Sequence, residues 1–156
     1  QVARADGDIK AFISHNPADA LTQADAADKS IAAGADFAQQ PLLGVPIALK
    51  DVLAVKDHPL NCCSKILGNF TSPYDATVIR KLRDAGAILL GKLAMVELAG
   101  SFGYNHADAS FTGPCKTPWN LGYWSGGSSS GSGACVAAGL CPSFVHGRWR
   151  ESDRDT

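Results

Sequence analysis

Apolar and polar positions along the chain change their period several times, and each change predicts an element. Leu21, Ala24, Ala27, Ile31 and Ala32 recur at helical spacing, with Gln23, Asp25, Asp28 and Lys29 between them; this predicts an amphipathic helix with a solvated outer face. Asn16-Pro17 opens it, Asn as the cap and Pro as a first helical residue that has no amide to leave unpaired, and Gly34 stops it. Residues 42–49 are apolar around Pro46, which predicts a short strand beginning just after the proline, because an interior proline removes a ladder donor. A second helix is expected to be capped by Asp75, with Val78, Ile79 and Leu82 inward, Arg80, Lys81 and Arg83 outward, and Gly86 as its stop. The apolar run at residues 87–90 predicts a buried strand, and a short helix is expected over residues 94–99. Residues 101–133, rich in Gly, Ser, Pro, Asn and aromatics, read as a long loop of the kind that usually carries function. A helix of small residues is expected directly after it, from Ala134. Strands alternating with helices place the chain in the α/β class.

Composition narrows the classes of function. With 156 residues, 46% hydrophobic and 19% charged, the chain can form one folded domain. A net charge of −1 gives no electrostatic reason to expect nucleic acid or an anionic membrane as a partner. No apolar run approaches the roughly 18–20 residues that span a bilayer, and the polar N-terminus lacks a signal-peptide core. The sequence starts without Met, so its start is expected to be truncated. The cysteines, Cys62, Cys63, Cys115, Cys135 and Cys141, are odd in number and have no metal-type spacing, which fits reduced thiols in a cytoplasmic protein.

Two stretches hold candidate chemistry. The block Ser125-Gly-Gly-Ser-Ser-Ser-Gly-Ser-Gly133 admits a flexible linker, a phosphate cradle at a helix start, or a serine hydrolase site using helix-terminal amides. A Walker loop is excluded because the block lacks the lysine of that motif. Residues 127–131 fit G-x-S-x-G, but no strand precedes them and the one later histidine, His146, comes before Asp153, so a nucleophile elbow fails on context. Lys50 follows an apolar segment that ought to be buried. Taken alone it reads as a surface charge; desolvated and bonded to a hydroxyl, it could give up its proton near neutral pH and act as a base. Lys92 and Glu97 read as a surface pair on a helix, His58 and His106 as loop residues without a partner, and Trp119 and Trp124 as packing for the loop.

Taken in order, Pro41-Leu-Leu-Gly-Val-Pro-Ile-Ala-Leu-Lys-Asp51, Tyr74-Asp-Ala-Thr-Val78, Asp84-Ala-Gly-Ala-Ile-Leu-Leu-Gly-Lys92, Pro118-Trp-Asn120 and Gly126-Gly-Ser-Ser-Ser-Gly-Ser-Gly-Ala134 resemble the amidase signature family from about Ile9 to Leu140. The resemblance implies an α/β amidase-signature fold, a mixed sheet flanked by helices and incomplete in this chain, with exposed sheet edges. It implies Lys50 as the base of a Ser–Ser–Lys triad, Ser128 as the bridging serine held by a cis peptide bond, Ser129 in support, and no metal or organic cofactor. The reaction implied is hydrolysis of a small-molecule carboxylic amide to acid and ammonia or amine. The partners implied are a second copy of the chain or, for the A-type component of a tRNA-dependent amidotransferase, further subunits; a non-catalytic Gly/Ser anion-binding module is the remaining alternative.

The family continues with a segment like Gly-Thr-Asp-x-Gly-Gly-Ser that carries the nucleophile. After Leu140 this chain departs from it: Ser152 stands near the expected spacing, but among Arg150, Glu151, Asp153 and Arg154 and without glycines. Residues 1–140 are therefore expected to be the N-terminal part of one amidase domain. Residues 141–156 are expected to be an aberrant tail, with a frameshift near Leu140 as its cause and an inactive chain as its result.

Overall fold

The computed structural model describes residues 2–100, 106 and 110–145. In chain order the elements are α1 (Val2–Ile9), β1 (Phe12–His15), α2 (Pro17–Ala32), β2 (Pro46–Lys50), α3 (Thr77–Asp84), β3 (Ile88–Leu93), a 3-10 turn (Glu97–Ala99), β4 (Lys116–Thr117), β5 (Asn120–Trp124), α4 (Ser130–Ala137) and β6 (Ser143–Val145). Four strands form a sheet in the order β1-β3-β2-β6, with β2 parallel to β3 and β6 and with β1 antiparallel to β3. The fold is the mixed α/β sheet expected from the sequence.

Strand alternation divides the core in two. Ala48 and Leu93 pack with Ala134 and Cys135 of α4, whereas Ile47, Leu49 and Leu89 pack with Ile79 and Leu82 of α3. The helix on the second face follows its sequence pattern, with Arg80, Lys81 and Arg83 exposed and Gly86 at φ 87° as its stop. Its cap does not: the N-cap is Ala76, and Asp75 instead accepts from the Lys56 amide at 2.7 Å and pairs with Arg83 at 3.4 Å. The carboxylate is taken by a neighbouring loop, so the helix starts later and uncapped.

Helix α2 begins and ends as its signals say, with Asn16 Oδ1 accepting from the Asp19 amide at 3.2 Å. Its apolar stripe is another matter, since Leu21 and Ile31 are exposed and only Ala27 is buried. The polar Gln23 makes the contact with the sheet. β1 pairs with β3 only at Gly91–Leu93, leaving Leu89 without a strand on that edge. The Gln23 carboxamide takes the strand's place, accepting from the Leu89 amide at 2.9 Å and donating to its carbonyl at 3.4 Å.

The helix expected over residues 94–99 is absent apart from the 3-10 turn at its end, where Leu98 has φ 51°. Long-range bonds take the groups a helix would need. The Ala94 amide donates to Ala11 O (2.8 Å), the Gly131 amide to Ala94 O (2.8 Å) and the Val96 amide to Ser128 O (3.0 Å). Within residues 101–133, residues 101–105 and 107–109 lie outside the described part; the remainder contains the β4–β5 hairpin, and α4 starts at Ser130, four residues before the expected Ala134. Trp119, at the turn of the hairpin, is 84% exposed and does not pack the loop.

Gly131 is where α4 meets the 94–96 segment. A Cβ at this position would collide with Ala11 O and with the backbone N and O of Ala94, whereas a Cβ at Gly133 would meet nothing within 4 Å. Gly131→Ala should therefore destabilise the fold by about 1–3 kcal/mol or more. Gly133→Ala should be neutral or add up to about 1 kcal/mol through helix propensity. Urea unfolding midpoints of the two variants check the contrast.

Candidate active site

Lys50 is the last residue of β2 and, by alternation, shares the α4 side of the sheet with Ala48. β2 and β3 run parallel, so their carboxyl ends open onto the same crevice, the usual place for a site in sheets of this kind. The start of α4 is pinned into that crevice by the bonds from residues 94–96. There the Lys50 Nζ lies 2.8 Å from Ser128 Oγ. Lys50 is only 2% exposed, and burial lowers its pKa from the ordinary lysine value. Among the described residues no carboxylate forms an ion pair with it.

The Gly/Ser block is folded structure. The Gly127–Ser128 peptide is cis, and Ser128 O is held by the Val96 amide. A Cβ on Gly127 would run into Val96 and the Trp124 ring, so this position requires glycine for close approach. Ser125 Oγ donates to one of two carbonyls, Cys115 O at 3.1 Å or Ser130 O at 3.2 Å. Ser129 occupies the N-cap position of α4, and Ser130 is buried in its first turn. Lys50 and Ser128, 78 positions apart in the chain, are thus brought into contact. Ser152 and His146 lie outside the described residues.

A second buried pair adjoins the first and was missed in the sequence. Lys92 is not on a helix surface; it sits on β3, 1% exposed, with its Nζ 2.9 Å from Asp51 Oδ1. Its amine also reaches Asp51 O at 3.3 Å and Pro59 O at 3.4 Å. Asp51 is fully buried and also accepts from the Cys63 amide at 3.2 Å. Burial raises its pKa, and the Lys92 charge opposes that rise. Glu97, the expected partner of Lys92, accepts from Ser64 Oγ at 2.8 Å. The missed signal was a lysine inside the otherwise apolar Ile88–Leu93 strand, which has to find a buried counter-ion. His58, expected to lack a partner, places Nδ1 2.9 Å from Lys56 O. An open cleft of about 490 Å³ lies beside β3 and is lined by His15, Asp19, His58, Arg83 and Lys92; it includes neither Lys50 nor Ser128.

The family model described as Amidase matches residues 1–144. The chain belongs to the amidase family. The A-type component of the glutamyl-tRNA(Gln) amidotransferase of Chromohalobacter salexigens is 48% identical over 146 residues, 93% of this chain and 29% of that protein. Among solved structures, the native peptide amidase of Stenotrophomonas maltophilia superposes with a TM-score of 0.77 at 35% identity, covering 90% of this chain and 28% of that one. The inhibitor-bound vestigial protein complex linked to the origins of an s-triazine catabolic enzyme gives 0.81 at 35% identity, covering 90% and 30%. The chain thus spans less than a third of the length of these relatives. The family match includes 141–144 of the residues set apart in the sequence as a tail, and β6 extends to Val145. No helix among the described residues is long and apolar enough to cross a membrane.

Two outcomes follow from the two lysines. Lys92→Met strands the Asp51 carboxylate in the core and should cost about 3–5 kcal/mol at neutral pH, most of it recovered in the Asp51→Asn/Lys92→Met double variant; denaturant titrations of the three proteins measure this. For Lys50 the folded pKa lies below the ordinary lysine value of 10.5, so between those two pH values the unfolded chain binds more protons and stability rises with pH. The penalty is complete below the folded pKa and gone above 10.5. Lys50→Met should consequently be more stable than the parent near neutral pH, and its advantage should shrink as pH rises towards that value. Parallel melts across pH 7 to 10.5 read the difference.

Proposed function

We propose that Lys50 and Ser128 are two members of a Ser–Ser–Lys acyl-transfer centre that cleaves a small-molecule carboxylic amide to acid and ammonia or amine. The observation that carries this reading is the 2.8 Å contact between a serine hydroxyl and a buried amine that has no acidic partner among the described residues. A lysine desolvated in this way can be neutral at working pH and accept a proton. Ser128 then hands its own proton to Lys50 Nζ while taking one from the attacking serine, so charge builds on the buried amine only as the acyl bond forms. Breakdown reverses the relay: the amine leaves protonated, and water or another acceptor releases the acyl group.

The nucleophile belongs to the segment following β6, whose last residue, Val145, pairs with Leu49 beside Lys50. Residues 1–140 serve in this reading as the N-terminal part of one amidase domain. The charged surroundings of Ser152, where the family places glycines, lead us to expect little or no amide turnover by this chain itself. A second reading, the A-type component of a tRNA-dependent amidotransferase working with partner subunits, is favoured by the 48% identity to a protein of that name. Co-purification with such subunits would mark it.

The expected result is no steady hydrolysis of a simple aryl amide by the chain alone. Joining residues 1–145 to the remaining length of the Chromohalobacter protein should give an active amidase. In that chimaera Lys50→Ala and Ser128→Ala should each lower kcat about 10²–10⁴-fold, the range of a lost proton-transfer group. Turnover that survives both substitutions would remove the two residues from the chemistry.

A further inference from the structure

We propose that Glu97 is a positioning residue of this centre: by accepting from Ser64 it holds the Val96 amide on Ser128 O and keeps the serine hydroxyl at the Lys50 amine. The inference rests on the reading of Lys50 and Ser128 as base and relay, and adds a device that fixes their separation from outside the sheet. Glu97 opens the 3-10 turn that follows β3, directly after Val96. Ser64 is fully buried, and its hydroxyl donates to Glu97 Oε1 at 2.8 Å. The same hydroxyl accepts from the Ile66 amide at 3.2 Å, which leaves its proton to face the carboxylate. A carboxylate acceptor makes this the stronger kind of hydrogen bond.

The bond closes a ring of contacts. Lys50 leads by one peptide to Asp51, whose Oδ2 accepts from the Cys63 amide at 3.2 Å. Cys63 leads to Ser64, the Ser64 hydroxyl to Glu97, and Glu97 back to Val96. The Val96 amide donates to Ser128 O at 3.0 Å, and Ser128 Oγ returns to Lys50 Nζ at 2.8 Å. Base and relay are thus joined twice, once by their own contact and once through loop 61–64 and residues 96–97. The direct contact carries the proton, and the second path holds the hydroxyl in place for it.

Neither side of this latch is in a conformation it prefers. Cys62 and Cys63 have φ of 50° and 55°, Leu98 and Ala99 of 51° and 54°, the left-handed region that a Cβ disfavours. Bonds across the two segments keep them there: the Leu98 amide to Cys62 O at 2.9 Å, the Met95 amide to Cys63 Sγ at 3.3 Å, and the Ser64–Glu97 bond. Almost any residue at 95 or 98 supplies the amides; the carboxylate comes from Glu97. On its other side the 94–96 segment is fixed at Ala94, by Ala11 O and the Gly131 amide. Val96 lies two residues beyond that anchor, and Glu97 is the next one.

The test is amide hydrogen exchange of the whole chain, read residue by residue by NMR, together with the Lys50 ε-carbon resonance in 13C-lysine-labelled protein. In the unaltered chain the Val96 amide should be protected as the β2 amides are. Glu97→Leu and Ser64→Ala should each speed Val96 exchange about 10–100-fold, the effect of one lost hydrogen bond to a charged group. Both should shift the Lys50 resonance and leave the α3 amides unchanged. Glu97→Gln keeps an acceptor oxygen and should behave as the parent does. Val96 exchange unchanged in Glu97→Leu, or faster only in step with α3, would overturn the proposal, as would an unmoved Lys50 resonance or a Gln variant as fast as the Leu one. If Glu97→Leu and Ser64→Ala do not fold, the parent and Glu97→Gln decide: Val96 protected in both supports the latch, and free exchange in either removes it. None of these readings needs turnover, so their failure is distinct from a failure of the amide chemistry, which kcat of the chimaera reports.

Discussion

Two lysine amines are buried on adjacent strands, and the sheet supplies one carboxylate between them. Asp51 neutralises Lys92 through a 2.9 Å contact, which leaves the Lys50 amine with a hydroxyl as its partner. Withdrawing an ammonium ion from water costs several kcal/mol, and an unpaired one relieves that cost by losing its proton. The unequal sharing of one carboxylate is therefore what separates a structural lysine from a lysine fit for base chemistry. Strand alternation enforces it. Lys92 pairs in register with Leu49, on the α3 side, while Lys50 comes one residue later on the α4 side. Asp51, one position further, anchors the chain as it leaves β2 by donating its amide to Leu93 O at 3.1 Å.

The hydroxyl is positioned by backbone packing more than by side chains. Residues 94–96 give up helical bonding to hold Ser128 O and the Gly131 amide, and they bond back to Ala11 at the start of β1. The start of β1 is tied in turn to α1, through Asp6 oxygens that accept from the Ala11 and Phe12 amides at 2.7 and 3.0 Å. Approach this close tolerates no Cβ at Gly127 or Gly131. Two glycines of a block that resembles a linker, Gly127 and Gly131, are thus there because of tight packing, the opposite of flexibility.

Local signals in the sequence identify α2, α3, β2 and β3, because caps, glycine stops and apolar periods act over a few residues. What they miss depends on partners distant in the chain. Gln23 reads as a solvated helix residue because nothing nearby reveals that Leu89 lacks a strand neighbour. Residues 94–99 read as helical because their competing partners, Ala11, Ser128 and Gly131, lie far away in sequence. β1, β6 and the β4–β5 hairpin are two to five residues long, too short for a period to register. The meeting of Lys50 with Ser128 has no local signature, and only the ordered family motifs link the two positions.

The Lys50–Ser128 contact draws on β2, β3, β1, the 94–96 segment and the start of α4, all within the residues that match the family model. Of the residues after Leu140, those described add the β6 strand, which pairs with β2 as far as Leu49, next to Lys50. The distance between Lys50 and Ser128 is set by a sheet register and by close contacts at Gly127 and Gly131, all among the described residues. The proposed centre can therefore keep its proton-accepting half in order while its acylating half departs from the family pattern. That separation is why a buried lysine bonded to a serine, with no carboxylate on it among the described residues, speaks for the chemistry of the family without speaking for turnover by this chain.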